Sequence, residues 1–264
     1  MVFYFLAFLI GLAVGSSLNV IITRLPRGEP FWTIRSRCLH CHTPLPWFNI
    51  LPLVSFIWLR GRCRFCQQFI PWRYPAVELA GGLLALGLWA KFPHSPVLFT
   101  YAPFTAALIV LTVLDLQYGW LPDAITLPGI GLGLGLSLIL PYHTFLEALA
   151  GALLGALLFQ IIRKSYEFFS RWRHDGSQQG MGGGDVKLLA LIGAFLGIKS
   201  LPLVIFISAA LGTMGGLLSL LATGQWRKGI WRTTAIPFGP FLSVGALAYL
   251  FWGEDLMRFL SGWE

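Results

Sequence analysis

Gly180-Met181-Gly182-Gly183-Gly184-Asp185-Val186-Lys187 sets one carboxylate behind a run of glycines, where a basic polar segment gives way to an apolar one. Moving an ionised Asp from water to the centre of a bilayer costs at least ~2.5 to 3.5 kcal/mol on insertion scales, so an Asp beside membrane-spanning sequence marks a functional position. A second carboxylate, Asp115, closes the apolar run that begins at Thr105. The working expectation is a fold that brings these two carboxylates together.

The chain around them is built for a membrane. Of its 264 residues, 56% are hydrophobic and 11% charged, and the mean hydropathy is +0.72, outside the range of soluble globular domains. The apolar run from Val2 to Ile22 is long enough to cross a hydrocarbon core of ~30 Å. Without basic residues ahead of it, and too long for a signal-peptide core, it reads as a retained span. Further apolar segments cover Pro75 to Ala90, Val97 to Leu114, Ala124 to Leu140, Phe145 to Ile162, Val186 to Ile198, Leu201 to Ala222 and Ala235 to Trp252. The fold class expected is therefore an all-α polytopic membrane protein of about eight transmembrane helices, with a small cytoplasmic domain between the first and second. Its divisions are residues 1–22, the first helix; 23–74, a cysteine-bearing domain; and 75–264, a seven-helix membrane domain. Val186 to Ile198 is short for a span and is expected to begin inside the protein or at a thinned edge.

The net charge of +8 is a topology signal. All of the 19 Lys and Arg except Lys91, Lys199 and Arg258 fall in three segments, after the first span, around Arg163 to Lys187, and at Arg227 to Arg232. By the positive-inside rule these segments face the cytoplasm, with both termini on the other side. Lipid headgroups are the expected contacts of this charge; no nucleic-acid partner is expected. Asp115 and Asp185 then both lie at cytoplasmic ends.

Two carboxylates that share a site do not ionise independently, so one can take a proton from water while the other donates one. Gly182 and Gly184 are expected to support Asp185, since a backbone without Cβ atoms approaches a substrate strand closely and adopts positive φ. Asp123, after Leu121-Pro122, reads as a helix cap or turn former that also supports the site, and Lys187 is a second supporting candidate. The polar stretch Arg163 to Gly184 reads as mobile, so that substrate would align the pair. A nucleotide-binding glycine loop is disfavoured, because no strand precedes Gly180. Two other classes stay open on the residues alone: a transporter or ion channel with Asp115 and Asp185 as its relay, and a metal-stabilised docking component of a secretion assembly.

Cys38-x-x-Cys41 and Cys63-x-x-Cys66, with 21 residues between the pairs, have the spacing of a structural zinc site. Disulfides are disfavoured by the reducing cytoplasm, and His40 and His42 are surplus to a shell that four thiolates complete. Zinc would be the main staple of a domain too small for a secure core.

Taken together, these pieces closely resemble the prepilin peptidases. The resemblance rests on Gly11-x-x-x-Gly15-Ser16-x-x-Asn19-Val20 with Arg24-Leu25-Pro26, and on the double CxxC with Asn49-Ile50-Leu51-Pro52 and Arg60-Gly61-Arg62. It continues through Arg73-Tyr74-Pro75-Ala76-Val77-Glu78-Leu79, Asp115 with Leu121-Pro122-Asp123, and Gly182-Gly183-Gly184-Asp185-Val186-Lys187. It implies an aspartic protease of the bacterial inner membrane whose catalytic residues are Asp115 and Asp185. Such an enzyme removes the leader of type IV prepilins or type II secretion pseudopilins after a glycine, on the cytoplasmic side. Many relatives with the cysteine domain then methylate the new N-terminus with S-adenosylmethionine. Leu39 stands where the family more often has Pro, which leaves the ligands untouched. No glycine fingerprint locates S-adenosylmethionine. Glu78 is a candidate for that second activity or for pairing with a basic neighbour, and Asn19 for a helix-to-helix hydrogen bond. The native prepilin and the oligomeric state are not encoded in these motifs.

Overall fold

The computed structural model describes residues 1–30, 37–38, 40–41, 43–44, 46, 51–139, 143–172, 182–223 and 237–261. Leu39, His42, Asn49, Ile50, Pro141, Tyr142, Gly180, Met181 and the basic residues Arg35, Arg173, Arg227, Lys228 and Arg232 lie outside them. The described residues are mostly helical, with two isolated β-bridges and no strand. They form two compact units, Met1–Val110 and Leu111–Glu264.

In the first unit, α1 (Val2–Arg24) packs along α3 (Arg73–Lys91). Small residues make this possible. A Cβ on Gly15 would stand 2.7 Å from the Glu78 Cα, and one on Gly81 would stand 3.1 Å from the Gly15 Cα. With little hydrophobic force between helices in lipid, such backbone approach is what joins them. One turn beyond Gly15, Asn19 Nδ2 donates to the Tyr74 carbonyl at 3.0 Å, and Arg73 donates to Thr23 Oγ1 at 2.8 Å. Asn19 thus makes the helix-to-helix bond expected of it. The short α2 (Val54–Trp58) lies between these helices in sequence.

Helix α4 (Leu98–Tyr118) carries the chain into the second unit, which contains α5 (Asp123–Ile139), α6 (Phe145–Trp172), α7 (Gly183–Leu196), α8 (Leu201–Thr223) and α9 (Gly239–Ser261). The core of this unit is α7, whose residues from Leu188 to Leu196 are all buried and which packs against α5, α6 and α9. Its 14 residues reach about 21 Å, less than a hydrocarbon core. The short segment therefore sits inside protein, as expected, rather than against lipid. Helices α8 and α9 join where the Ser208 hydroxyl donates to the Phe241 carbonyl at 3.0 Å.

Four helical segments, Val2–Arg27, Leu98–Tyr118, Phe145–Phe168 and Ile198–Ser219, are long and apolar enough to cross a membrane. Large apolar side chains such as Phe5, Ile10, Leu153, Ile161, Phe206 and Leu218 point outward from them, a surface that lipid would cover.

Two boundaries differ from the sequence expectation. Asp115 does not end its helix: α4 continues to Tyr118, and the polar link shrinks to the four residues before Asp123. Gly119, at φ 60°, makes the stop, its N–H bonded to the Asp115 carbonyl at 2.8 Å. Arg163 to Trp172 is the last part of α6 rather than a mobile segment. It contains no glycine or proline, and Arg163 pairs with Glu167 one turn on.

Candidate active site and metal centre

Asp115 lies in the last turn of α4, where its side chain reaches the beginning of α9. Its Oδ2 accepts the Gly239 N–H at 2.8 Å, and the residue is 6% exposed. Asp185 lies in the first turn of α7, capped by Gly182, and is 8% exposed. It sits within electrostatic reach of Asp115. The structure therefore brings together the two carboxylates singled out in the sequence. Among the described residues no cation pairs with either one.

Two unpaired buried carboxylates are expensive, since each charge loses water without gaining a counter-ion. What compensates is backbone. Asp115 accepts the Gly239 N–H at the start of α9, and Asp185 lies in the first turn of α7, where the helix dipole favours negative charge. Carboxylates held this way keep lone pairs available for water, which a carboxylate locked to Arg or Lys would not.

The supporting residues divide. Lys187 and Asp123 form an ion pair between the first turns of α7 and α5. Asp123 is thus the first helical residue of α5 and ties two helix starts together. Gly184 is needed for close approach, because a Cβ there would stand 2.7 Å from the Leu121 Cβ. The expectation of positive φ is not met: Gly182 has φ −60° and ψ 139°, and Gly183 and Gly184 are helical. The crowding at Gly184 is against the chain's own Leu121, so this glycine sets the distance between the α4–α5 link and α7.

Gly239 went unnoticed in the sequence. A Cβ on it would lie 2.6 Å from Asp115 Oδ2. The available signal was Gly239-Pro240 opening an apolar run, the pattern of a helix start whose proline has no N–H to offer and whose glycine does.

In the first unit the four cysteines converge, their sulfurs all within 4.8 Å of one another. Each CxxC occupies a similar loop. The bridges Arg37 to Pro44 and Arg62 to Phe69 close them, and the first cysteine of each donates its N–H to a carbonyl five residues on, Cys38 to Thr43 at 3.1 Å and Cys63 to Gln68 at 2.9 Å. A tetrahedral shell with Zn–S of ~2.3 Å has sulfurs about 3.8 Å apart. Cys38 and Cys66 stand 3.8 Å apart, so the donor set fits a metal of that geometry. Hydrogen bonds from Thr43, side chain first and then backbone, pull the Cys41 thiol down to about 6, whereas the backbone hydrogen bond from Gln68 is outweighed at Cys66 by burial and the three neighbouring sulfurs, which raise it to about 11. A metal cation would favour the thiolate at all four. His40 is not among the converging ligands.

Glu78 is buried in α3 and accepts the backbone N–H of Leu53 at 2.8 Å. Its partner is thus a backbone amide rather than the basic neighbour considered above. Leu53 has φ 58°, a conformation that this bond helps to hold.

Residues 9–92 match the family model described as the bacterial peptidase A24 N-terminal domain, and residues 102–217 match that of the type IV leader peptidase family. A protein of Burkholderia pseudomallei strain 1026b named prepilin leader peptidase/N-methyltransferase is 36% identical over 97% of this chain and 87% of its own length. The chain belongs to the type IV leader peptidase family. Other relatives carry the same name. One from Aeromonas hydrophila is 33% identical over 97% of the chain and 93% of its own length, and one from Pseudomonas putida 34% over 96% and 92%. No solved structure matches the chain. Asp115 and Asp185 fall in the segment matched to the leader peptidase model, and the cysteines, Asn19 and Glu78 in that matched to the N-terminal domain.

Proposed function

We propose that this chain is a membrane aspartic endopeptidase that removes the leader peptide of type IV prepilins or pseudopilins after a glycine. It then N-methylates the new N-terminal residue. The observation that carries the peptidase reading is the pair Asp115 and Asp185, buried, within electrostatic reach of each other and, among the described residues, without a cationic partner. One carboxylate takes a proton from a water molecule as its oxygen attacks the scissile carbonyl. The other donates its proton to the carbonyl oxygen; as the C–N bond breaks, the first carboxyl passes the proton it took from water to the departing amine, and the second recovers its own from the gem-diol hydroxyl. The Gly239 N–H holds Asp115 in place while this happens, and Gly184 lets α7 carry Asp185 close enough to take part. Neither the relay nor the docking alternative gains support from membership of this family.

The proposed architecture has eight membrane helices, α1 and α3 to α9. The four segments long enough to span alone are supplemented by α3, α5, α7 and α9, which are shorter or more polar. The basic segments and the carboxylates face the cytoplasm of a bacterial cell, both termini lie across the inner membrane, and lipid covers the outward apolar side chains. The four cysteines hold zinc as a structural ion. S-adenosylmethionine, where bound, would supply the methyl group for the new amine, which would lose a proton to water.

Purified protein incubated with a prepilin and labelled S-adenosylmethionine tests the whole reading, with mass spectrometry of the product. Asp115→Asn and Asp185→Asn are each expected to abolish leader removal while the melting temperature stays near that of the parent. Normal processing by either variant would overturn the paired-carboxylate mechanism.

A further inference from the structure

The first unit contains a cavity of about 410 Å³ among the last turns of α1, the first turns of α3 and the two cysteine loops. This is the size of a small-molecule site, and its lining divides by chemistry. At one place it offers acceptors. Asn19 is 2% exposed, its Nδ2 is committed to the Tyr74 carbonyl, and its buried Oδ1 has no partner among the described residues. The Glu78 carboxylate lines the same cavity, with Oε2 on the Leu53 N–H and a further hydrogen bond from the Ser16 side chain. A buried orphan acceptor is destabilising, and a ligand with N–H donors removes that penalty. An acceptor amide beside a carboxylate selects a primary ammonium, which is cationic and has three donors. Elsewhere the lining includes the exposed cations Arg27 and Arg37, suited to a carboxylate, and the ring of Phe56, suited to a flat heterocycle.

Ammonium, carboxylate and aromatic base together describe an α-amino acid joined to a nucleoside. We infer that this cavity binds S-adenosylmethionine, with Asn19 Oδ1 and Glu78 receiving its α-ammonium, Arg27 and Arg37 its carboxylate, and Phe56 its adenine. The assignment rests on the methyltransferase part of the proposed function and locates that activity in the first unit, whereas the carboxylate pair belongs to the second. It also explains why no glycine fingerprint is present: the assigned contacts are side chains that line one cavity rather than the backbone of a glycine-rich turn.

Isothermal titration of the full-length protein in nanodiscs with S-adenosylmethionine, and separately with S-adenosylhomocysteine, measures binding without any turnover. Glu78→Gln keeps an acceptor for Leu53 but removes the charge, and is expected to weaken binding at least about tenfold, as when a charge-assisted bond becomes neutral. The double variant Arg27→Ala with Arg37→Ala changes only exposed side chains and is expected to weaken binding several-fold even if Glu78→Gln folds poorly. Melting temperature and bound metal report folding in each case. If the parent binds the cofactor and both folded variants bind it equally tightly, the cavity assignment is wrong while the methyltransferase reading stands. If the parent binds neither compound at millimolar concentration, the methyltransferase reading itself fails.

Discussion

Replacing Gly239 by Ala should damage catalysis without altering the fold. Gly239 is not at positive φ, so alanine fits its backbone conformation and only the added methyl matters. That carbon would lie 2.6 Å from Asp115 Oδ2 and 3.1 Å from its Cγ, well inside the ~3.5 Å of ordinary contact. The carboxylate has to retreat by the better part of an ångström, and the 2.8 Å bond from the Gly239 N–H is lost or lengthened. A hydrogen bond to a charged group contributes about 1.5 to 3 kcal/mol, which at 1.36 kcal/mol per decade is a rate loss of roughly 10- to 150-fold. Misplacing a catalytic group by ~1 Å leads to a similar figure, about 10²-fold. Initial rates of leader removal, followed by mass spectrometry on a purified prepilin, should show this loss in kcat with KM nearly unchanged. A folded Gly239→Ala enzyme that cleaves within twofold of the parent rate would refute the claim that this amide positions Asp115.

Two further outcomes follow from the first unit. Cys63→Ser removes one of four thiolates and should lower bound zinc from one ion per chain to a small fraction, with earlier proteolysis of residues 23–74; full metal content in the variant would contradict the four-cysteine shell. Gly15→Leu places a side chain where a Cβ alone would approach the Glu78 Cα to 2.7 Å, so α1 and α3 must separate. It should lower the melting temperature by several degrees, in line with overpacking of about 1 to 3 kcal/mol or more, and an unchanged melt would argue against close packing of these helices.

Much of the site was readable in the chain itself. An Asp next to an apolar segment is rare enough to stand out, and two of them at corresponding ends of helices suggested a pair before any contact was known. The CxxC spacing likewise announced four converging thiolates. Other features depended on neighbours distant in sequence. Gly182 and Gly184 looked like flexible elements for substrate, yet Gly184 is explained by Leu121, and the residue that holds Asp115 is Gly239, 124 positions away. Glu78 was a candidate either for the second activity or for pairing with a basic side chain, and the structure gives it the amide of Leu53. The polar composition of Arg163 to Trp172 suggested a loop, whereas its lack of helix breakers lets α6 run on.

Sequence alone determined that the protein is helical and membrane-bound, that Asp115 and Asp185 are its exceptional carboxylates, and that four cysteines form one site. These are properties of local pattern, set by the cost of placing charge near lipid and by the reach of a short turn. Tertiary structure decided which backbone amide holds Asp115, why Gly184 has no side chain, and where an unpartnered amide oxygen and a carboxylate share a cavity. Each of these depends on a distance between segments far apart in the chain, which packing sets and no local pattern records.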